Sequence, residues 1–135
     1  MHPNEALFAN EAFYLAFAQA DYSAMCSLWS QRESVVCIHP GWAALTDRAA
    51  VLESWERILG NPDLKKQQNV SFYGARAVPL GVGVAVVCYE VLPGSVLTAM
   101  NLFIVEDGRA QLVHHQAGPC GSPPPLDAEI AQLDA

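Results

Sequence analysis

Between Asn4 and Ala20 the apolar positions recur at helical spacing. Ala6, Ala9, Phe13, Ala16, Phe17 and Ala20 share one face and Glu5, Glu11 and Gln19 lie opposite, which predicts an amphipathic helix. Phe8, Ala12 and Leu15 form a second apolar strip, suited to a neighbouring element or a subunit contact. Asp21 stops this helix and caps the next, where Met25, Leu28 and Trp29 have i, i+3, i+4 spacing. Val35-Val36-Cys37-Ile38 then reads as a short buried strand, broken by Pro40-Gly41. Thr46 is the predicted cap of a third helix carrying Val51, Leu52, Trp55, Ile58 and Leu59 on one side, with Glu53 and Arg57 paired outside. Gly60-Asn61-Pro62 is a stop signal.

Beyond residue 66 the period changes from helical to extended. Residues 67–78, 82–92, 95–105 and 109–117 are β-rich, separated by Pro79-Leu80-Gly81, Pro93-Gly94 and Glu106-Asp107-Gly108. Short connections imply an antiparallel meander, so three helices precede and cover one curved sheet in an α+β domain. The middle strands are apolar on both faces: Val82, Val84 and Val86 on one, Ala85, Val87 and Val91 on the other. The helices can cover only one face, and a second subunit is the simplest cover for the other. The expected division is one domain over residues 1–119 and a proline-rich tail over 120–135, with Leu126, Ile130 and Leu133 marking a short helix.

Composition narrows the function. Hydrophobic residues make up 52% of the 135 and charged residues 16%, which excludes intrinsic disorder. A net charge of −7 disfavours both nucleic acid and anionic membranes as partners. No apolar run of 18 residues occurs, and Met1-His2-Pro3-Asn4-Glu5 lacks the basic start of a signal peptide, so a cytoplasmic location is expected. Cys26, Cys37, Cys88 and Cys120 have no CxxC spacing and read as free thiols. Nucleotide-binding and hydrolase motifs are absent, and no cofactor is expected. Cys37 and His39 share a strand face that His114 could approach, but the spacing is not diagnostic and no metal site is expected.

Several segments carry a resemblance. Cys37-Ile38-His39-Pro40-Gly41-Trp42, then Leu45, Val51 and Ser54-Trp55, together with residues 98–103 and the final Leu112-Val113-His114-His115-Gln116-Ala117-Gly118-Pro119, resemble the SnoaL-like branch of the nuclear transport factor 2-like superfamily over roughly residues 5–119. The resemblance implies a cone-shaped sheet wrapped around helices, an apolar pocket at one end and a homodimer formed through the outer sheet face. The superfamily includes isomerases, dehydratases, cyclases, ligand-binding proteins and kinase association domains, so fold does not settle function.

In the resembling ketosteroid isomerases the first helix supplies an electrophilic tyrosine, a place that Tyr14 occupies here. Their strand carboxylate is missing, and His39 can replace it as a base near neutral pH. Pro40 and Gly41 fix His39 and Trp42 as a unit, with Trp42 as a ligand wall or core plug and His39 as a polar contact or structural residue. On the last strand, alternation puts Leu112, His114 and Gln116 on one face, assigned to the pocket, and sends His115 outward. In the related kinase association domains this position holds a His-x-His pair, whose second member is Gln116 here. Glu90 lies in an apolar strand, either buried with a raised pKa or on the rim beside Arg76 or Arg109. Asn101 offers an amide that can orient a ligand in an apolar cavity.

Three functions remain open. The preferred one is a homodimer binding an unidentified small apolar ligand through Trp42, Trp55, Asn101 and His114, with Glu90 and Gln116 as further contacts. The second is a lyase or isomerase with His39 or His114 as base and Tyr14 as donor. The third is an association module whose cavity is filled by its own side chains.

Overall fold

A computed structural model describes residues 1–61 and 70–126. Helix α1 (Pro3–Ala18) starts under His2, whose Nδ1 accepts from Asn4 N, and α2 (Tyr22–Leu28) starts under Asp21, whose carboxylate accepts from Ala24 N. Strand β1 (Val36–Ile38) and helix α3 (Arg48–Gly60) follow. The cap of α3 is Asp47, which accepts from Ala50 N at 2.8 Å, so the predicted cap Thr46 is one residue early. Glu53 and Arg57 pair on its exposed side at 2.7 Å.

Strands β2 (Ser71–Pro79), β3 (Val84–Leu92), β4 (Ser95–Glu106) and β5 (Arg109–Pro119) form the expected antiparallel meander. Strand β1 joins its far edge parallel to β5, giving the order β1-β5-β4-β3-β2. The first part of the run predicted from residue 67, and the tail helix drawn through Ile130 and Leu133, lie outside the described residues.

The helices fill the concave side of the sheet. Phe13, Trp29, Trp55, Phe103 and Leu112 are fully buried there, with Val84, Val86 and Cys88 beneath them. Phe13 meets Trp55 edge-on with ring centres 5.6 Å apart, and Phe17 meets it at 5.1 Å. Phe8 and Leu15, from the second apolar strip of α1, remain exposed.

The convex side lies away from the helices. Pairing places Val36 and Ile38 of β1, Met100 and Leu102 of β4, and Val87 of β3 on this side, all half-buried. His114 and Gln116 share it. The end of the described chain crosses the edge strand, where Tyr73 Oη donates to the Pro124 carbonyl at 2.6 Å. No helix among the described residues is long and apolar enough to cross a membrane.

Candidate functional site

A cup of about 380 Å³ opens between the helices and the concave sheet face. Its walls are apolar, built from Phe17 of α1, Ile58 and Leu59 of α3, and Leu92 and Leu97 of β3 and β4. Among the described residues three polar side chains reach its floor: His39, Glu90 and His115. Trp42 stands over the mouth at 43% exposure.

His39 and Trp42 are held by a tight turn. Trp42 N donates to the His39 carbonyl at 2.9 Å, Pro40 sets the first corner, and Gly41 takes φ +82° at the second. This is the type II arrangement, which a side chain at position 41 would strain. The turn sets the two rings edge-to-face with centres 4.8 Å apart. His39 Nε2 bonds Ser54 Oγ of α3 at 2.8 Å, and its ring packs on Trp55 at 4.8 Å.

Strand β5 delivers His115, the reverse of the expected choice. Phe103 pairs with Leu112 but Leu102 pairs with His114, so Val113 is an extra residue and the alternation slips by one. Leu112 and His115 therefore both point inward. His115 is 1% exposed, whereas His114 lies on the convex face with Nε2 3.2 Å from Gln116 Oε1. His114 and Gln116 are thus not cup residues, and His114 cannot act there as base. Nor does His114 join Cys37 and His39; among the described residues no group of three His, Cys, Asp or Glu side chains is placed to hold a metal ion.

Behind the cup runs a buried polar chain. His115 Nδ1 lies 2.6 Å from Asn101 Oδ1, and Asn101 Nδ2 donates to Asn10 Oδ1 at 2.8 Å. Asn10 Nδ2 faces Cys88 Sγ at 4.0 Å, the Cys88 thiol donates to Tyr14 Oη at 3.5 Å, and Tyr14 Oη–H donates to Glu90 Oε2 at 2.7 Å. The chain returns to the cup because His115 Nε2 is 3.9 Å from the same carboxylate oxygen. Asn101 and Tyr14 therefore support the cup from behind, and Trp55 is fully buried against both imidazoles, at 4.8 Å from His39 and 5.7 Å from His115.

Burial sets the protonation. It lowers His39 to about 4 and His115 to about 3, the latter with further repulsion from His39 and His114, so both rings are neutral near pH 7. The contact between His115 and Glu90 is accordingly not an ion pair. Burial raises the Glu90 carboxyl, and the Tyr14 hydrogen bond offsets part of the rise. The rim alternative for Glu90, paired with Arg76 or Arg109, does not hold: Glu90 is 2% exposed and its partner is Tyr14. Tyr14 is pushed well above 10, first by burial and then by Glu90. Cys37 and Cys88 are pushed up to about 12 and 11 by burial, so neither supplies a thiolate at neutral pH.

Sequence reading missed His115, Asn10, Cys88 and Ser54. Asn10 carried a usable signal, since it sits four residues after Ala6 and three before Phe13, a polar side chain on an apolar helical stripe.

The element order, the curved open sheet and the cup beneath it define a nuclear transport factor 2-like fold. The chain belongs to the SnoaL-like domain family, whose profile matches residues 7–120. Among solved structures it is similar to a provisionally assigned dehydratase of the nuclear transport factor 2-like family from Streptomyces avermitilis, at 25% identity, TM-score 0.74 and coverage of 88% of this chain and 96% of that one. It is also similar to a provisionally assigned calcium/calmodulin-dependent protein kinase type II association domain from Thiobacillus denitrificans, at 26% identity, TM-score 0.73 and coverage of 83% and 92%. A CaMKII hub from S. rosetta shares the fold at 15% identity, TM-score 0.70 and coverage of 87% and 95%. No curated protein matches the chain.

Proposed function

We propose that this chain is a homodimeric small-molecule-binding domain, with the ligand in the cup and the second subunit on the convex sheet face. The observation that carries the reading is the cup itself: about 380 Å³ of space with apolar walls and, among the described residues, His39, Glu90 and His115 as the polar side chains on its floor. An association module has no need of such a space, and a filled core would leave none. Half-buried Val36, Ile38, Val87, Met100 and Leu102 support the dimer, as does likeness to association domains.

Thermal-shift measurement with steroid, polyketide-like and aromatic ligands tests the binding reading. A ligand at a hundred times its Kd adds about 2.7 kcal/mol of stability. Absence of stabilisation by every class would dismiss it.

A second reading is favoured by one contact, the 3.9 Å approach of the neutral His115 Nε2 to Glu90. A base of this kind beside a carboxyl of raised pKa suits proton transfer on a bound molecule, as a dehydratase or isomerase requires. His39 or His115 is then the base. Tyr14 is not the electrophile, because its hydroxyl proton is committed to Glu90. Deuterium exchange into an enolisable ketone tests this; an equal rate in His115→Gln and His39→Gln would rule out both bases.

A further inference from the structure

The polarity of the two imidazoles is set by hydrogen bonds made outside the cup. Asn101 donates through Nδ2 to Asn10, so the atom it presents to His115 Nδ1 is its carbonyl oxygen. A carbonyl only accepts, and the ring proton of His115 therefore sits on Nδ1, leaving Nε2 as a lone pair. Asn10 is oriented to match: the Cys88 thiol gives its proton to Tyr14, so its sulfur faces the Asn10 Nδ2, and the Asn10 oxygen receives Asn101. Reversing either amide alone would set like atoms against each other.

His39 reaches the same state from a different element. The Ser54 hydroxyl donates to the Val51 carbonyl at 2.6 Å and so can only accept from His39 Nε2 at 2.8 Å. Nδ1 is left as the acceptor of that ring, with the Cys37 sulfur 3.9 Å from it and 3.5 Å from Nε2. Glu90, the third polar group, already receives the Tyr14 proton and offers a carboxyl oxygen. The two imidazoles thus each present an acceptor to the cup, Glu90 Oε2 accepts beside them, and the chain as a whole carries a charge of −7.

We infer that the cup selects an apolar body bearing a hydrogen-bond donor, such as a phenol, enol or alcohol, and discriminates against a carboxylate or phosphate. An anionic oxygen would meet lone pairs, with no cationic side chain among the described lining residues to balance it, and would lose its hydration without replacement. The inference rests on the cup being a ligand site and adds which chemistry it accepts.

The test uses three probes with one body: 2-naphthol, naphthalene and 2-naphthoate, titrated by calorimetry into the full chain at pH 7. Naphthol is expected to bind about tenfold tighter than naphthalene, the gain from one well-made hydrogen bond, and naphthoate weakest. Nitrogen-15 NMR of the histidine rings should find His115 as the Nδ1–H tautomer and His39 as the Nε2–H tautomer. Naphthoate binding as tightly as naphthol, or either ring in the opposite tautomer, overturns the inference and leaves the ligand-binding reading standing. Failure of naphthol to bind, or binding no tighter than that of naphthalene, likewise overturns the inference, whereas the ligand-binding reading is decided separately by the wider thermal-shift screen.

Discussion

Tyr14 and Glu90 lie 76 residues apart in sequence, yet the phenol donates to the carboxylate at 2.7 Å inside an apolar core. The bond joins α1 to β3 and holds Glu90 below the value that burial alone would give. Tyr14→Phe removes the donor without changing the ring. We expect a loss of about 1–3 kcal/mol in urea denaturation and a further rise of the Glu90 pKa, followed by carboxyl carbon-13 NMR. An unmoved Glu90 titration would show that the bond does not tune the carboxyl.

The histidine doublet separates cleanly by position. His115→Ala should cost about 2–4 kcal/mol, because it leaves a hole beside Phe13 and Trp55 and orphans the Asn101 oxygen. His114→Ala should change monomer stability by less than about 0.5 kcal/mol, since that half-buried ring bonds only Gln116 among the described residues. Equal losses in the two variants, measured side by side, would contradict the placement of the bulge at Val113.

Acid should destabilise the protein in a defined window. The fold keeps both imidazoles neutral, with His39 near 4 and His115 near 3 against 6.5 for a free ring. Their contribution is therefore complete above about pH 6.5 and is lost as pH falls toward 4, with a slope of up to about 1.4 kcal/mol per pH unit for each ring. Glu90 has the opposite sign: its raised pKa stabilises below the ordinary carboxyl value and fades as pH rises through the folded value. Urea midpoints taken from pH 7 to 4.5 should fall, less steeply in His39→Phe and more steeply in Glu90→Gln. A flat profile in the parent would refute the neutral-imidazole assignment.

On the convex face, Met100→Glu places like charges against each other across the proposed two-fold contact while leaving the helical core untouched. The expected outcome is a monomer by sedimentation with unchanged far-ultraviolet circular dichroism. A dimer that persists would move the interface elsewhere.

Much of the scaffold was legible because it depends on short-range pattern. Helical spacing of Ala6, Phe13 and Ala16, the Asp21 cap and the glycine-bearing turns each act over a few residues and fix elements one by one. The SnoaL-like segments around His39 and at the C-terminal strand carried the fold class. The site was harder to read. Strict alternation puts His114 inside, and only pairing with β4 reveals that Val113 is surplus to the ladder. Asn10, Cys88, Tyr14 and Glu90 meet through the packing of α1 on the sheet, a long-range event with no local spacing. Trp55 and Asn101, expected as ligand contacts, lie behind the wall of the cup, where Trp55 packs on both imidazoles and Asn101 bonds His115.

The bulge at Val113 has a bearing on how such a strand tolerates change. A slip of one position exchanges every inward side chain of β5 for its neighbour. Because two histidines stand side by side, a slip that turned His115 out would turn His114 in, and an imidazole would still face Asn101. The doublet thus keeps a ring nitrogen opposite Asn101 through a one-residue slip, at the cost of turning Gln116 inward in place of Ala117.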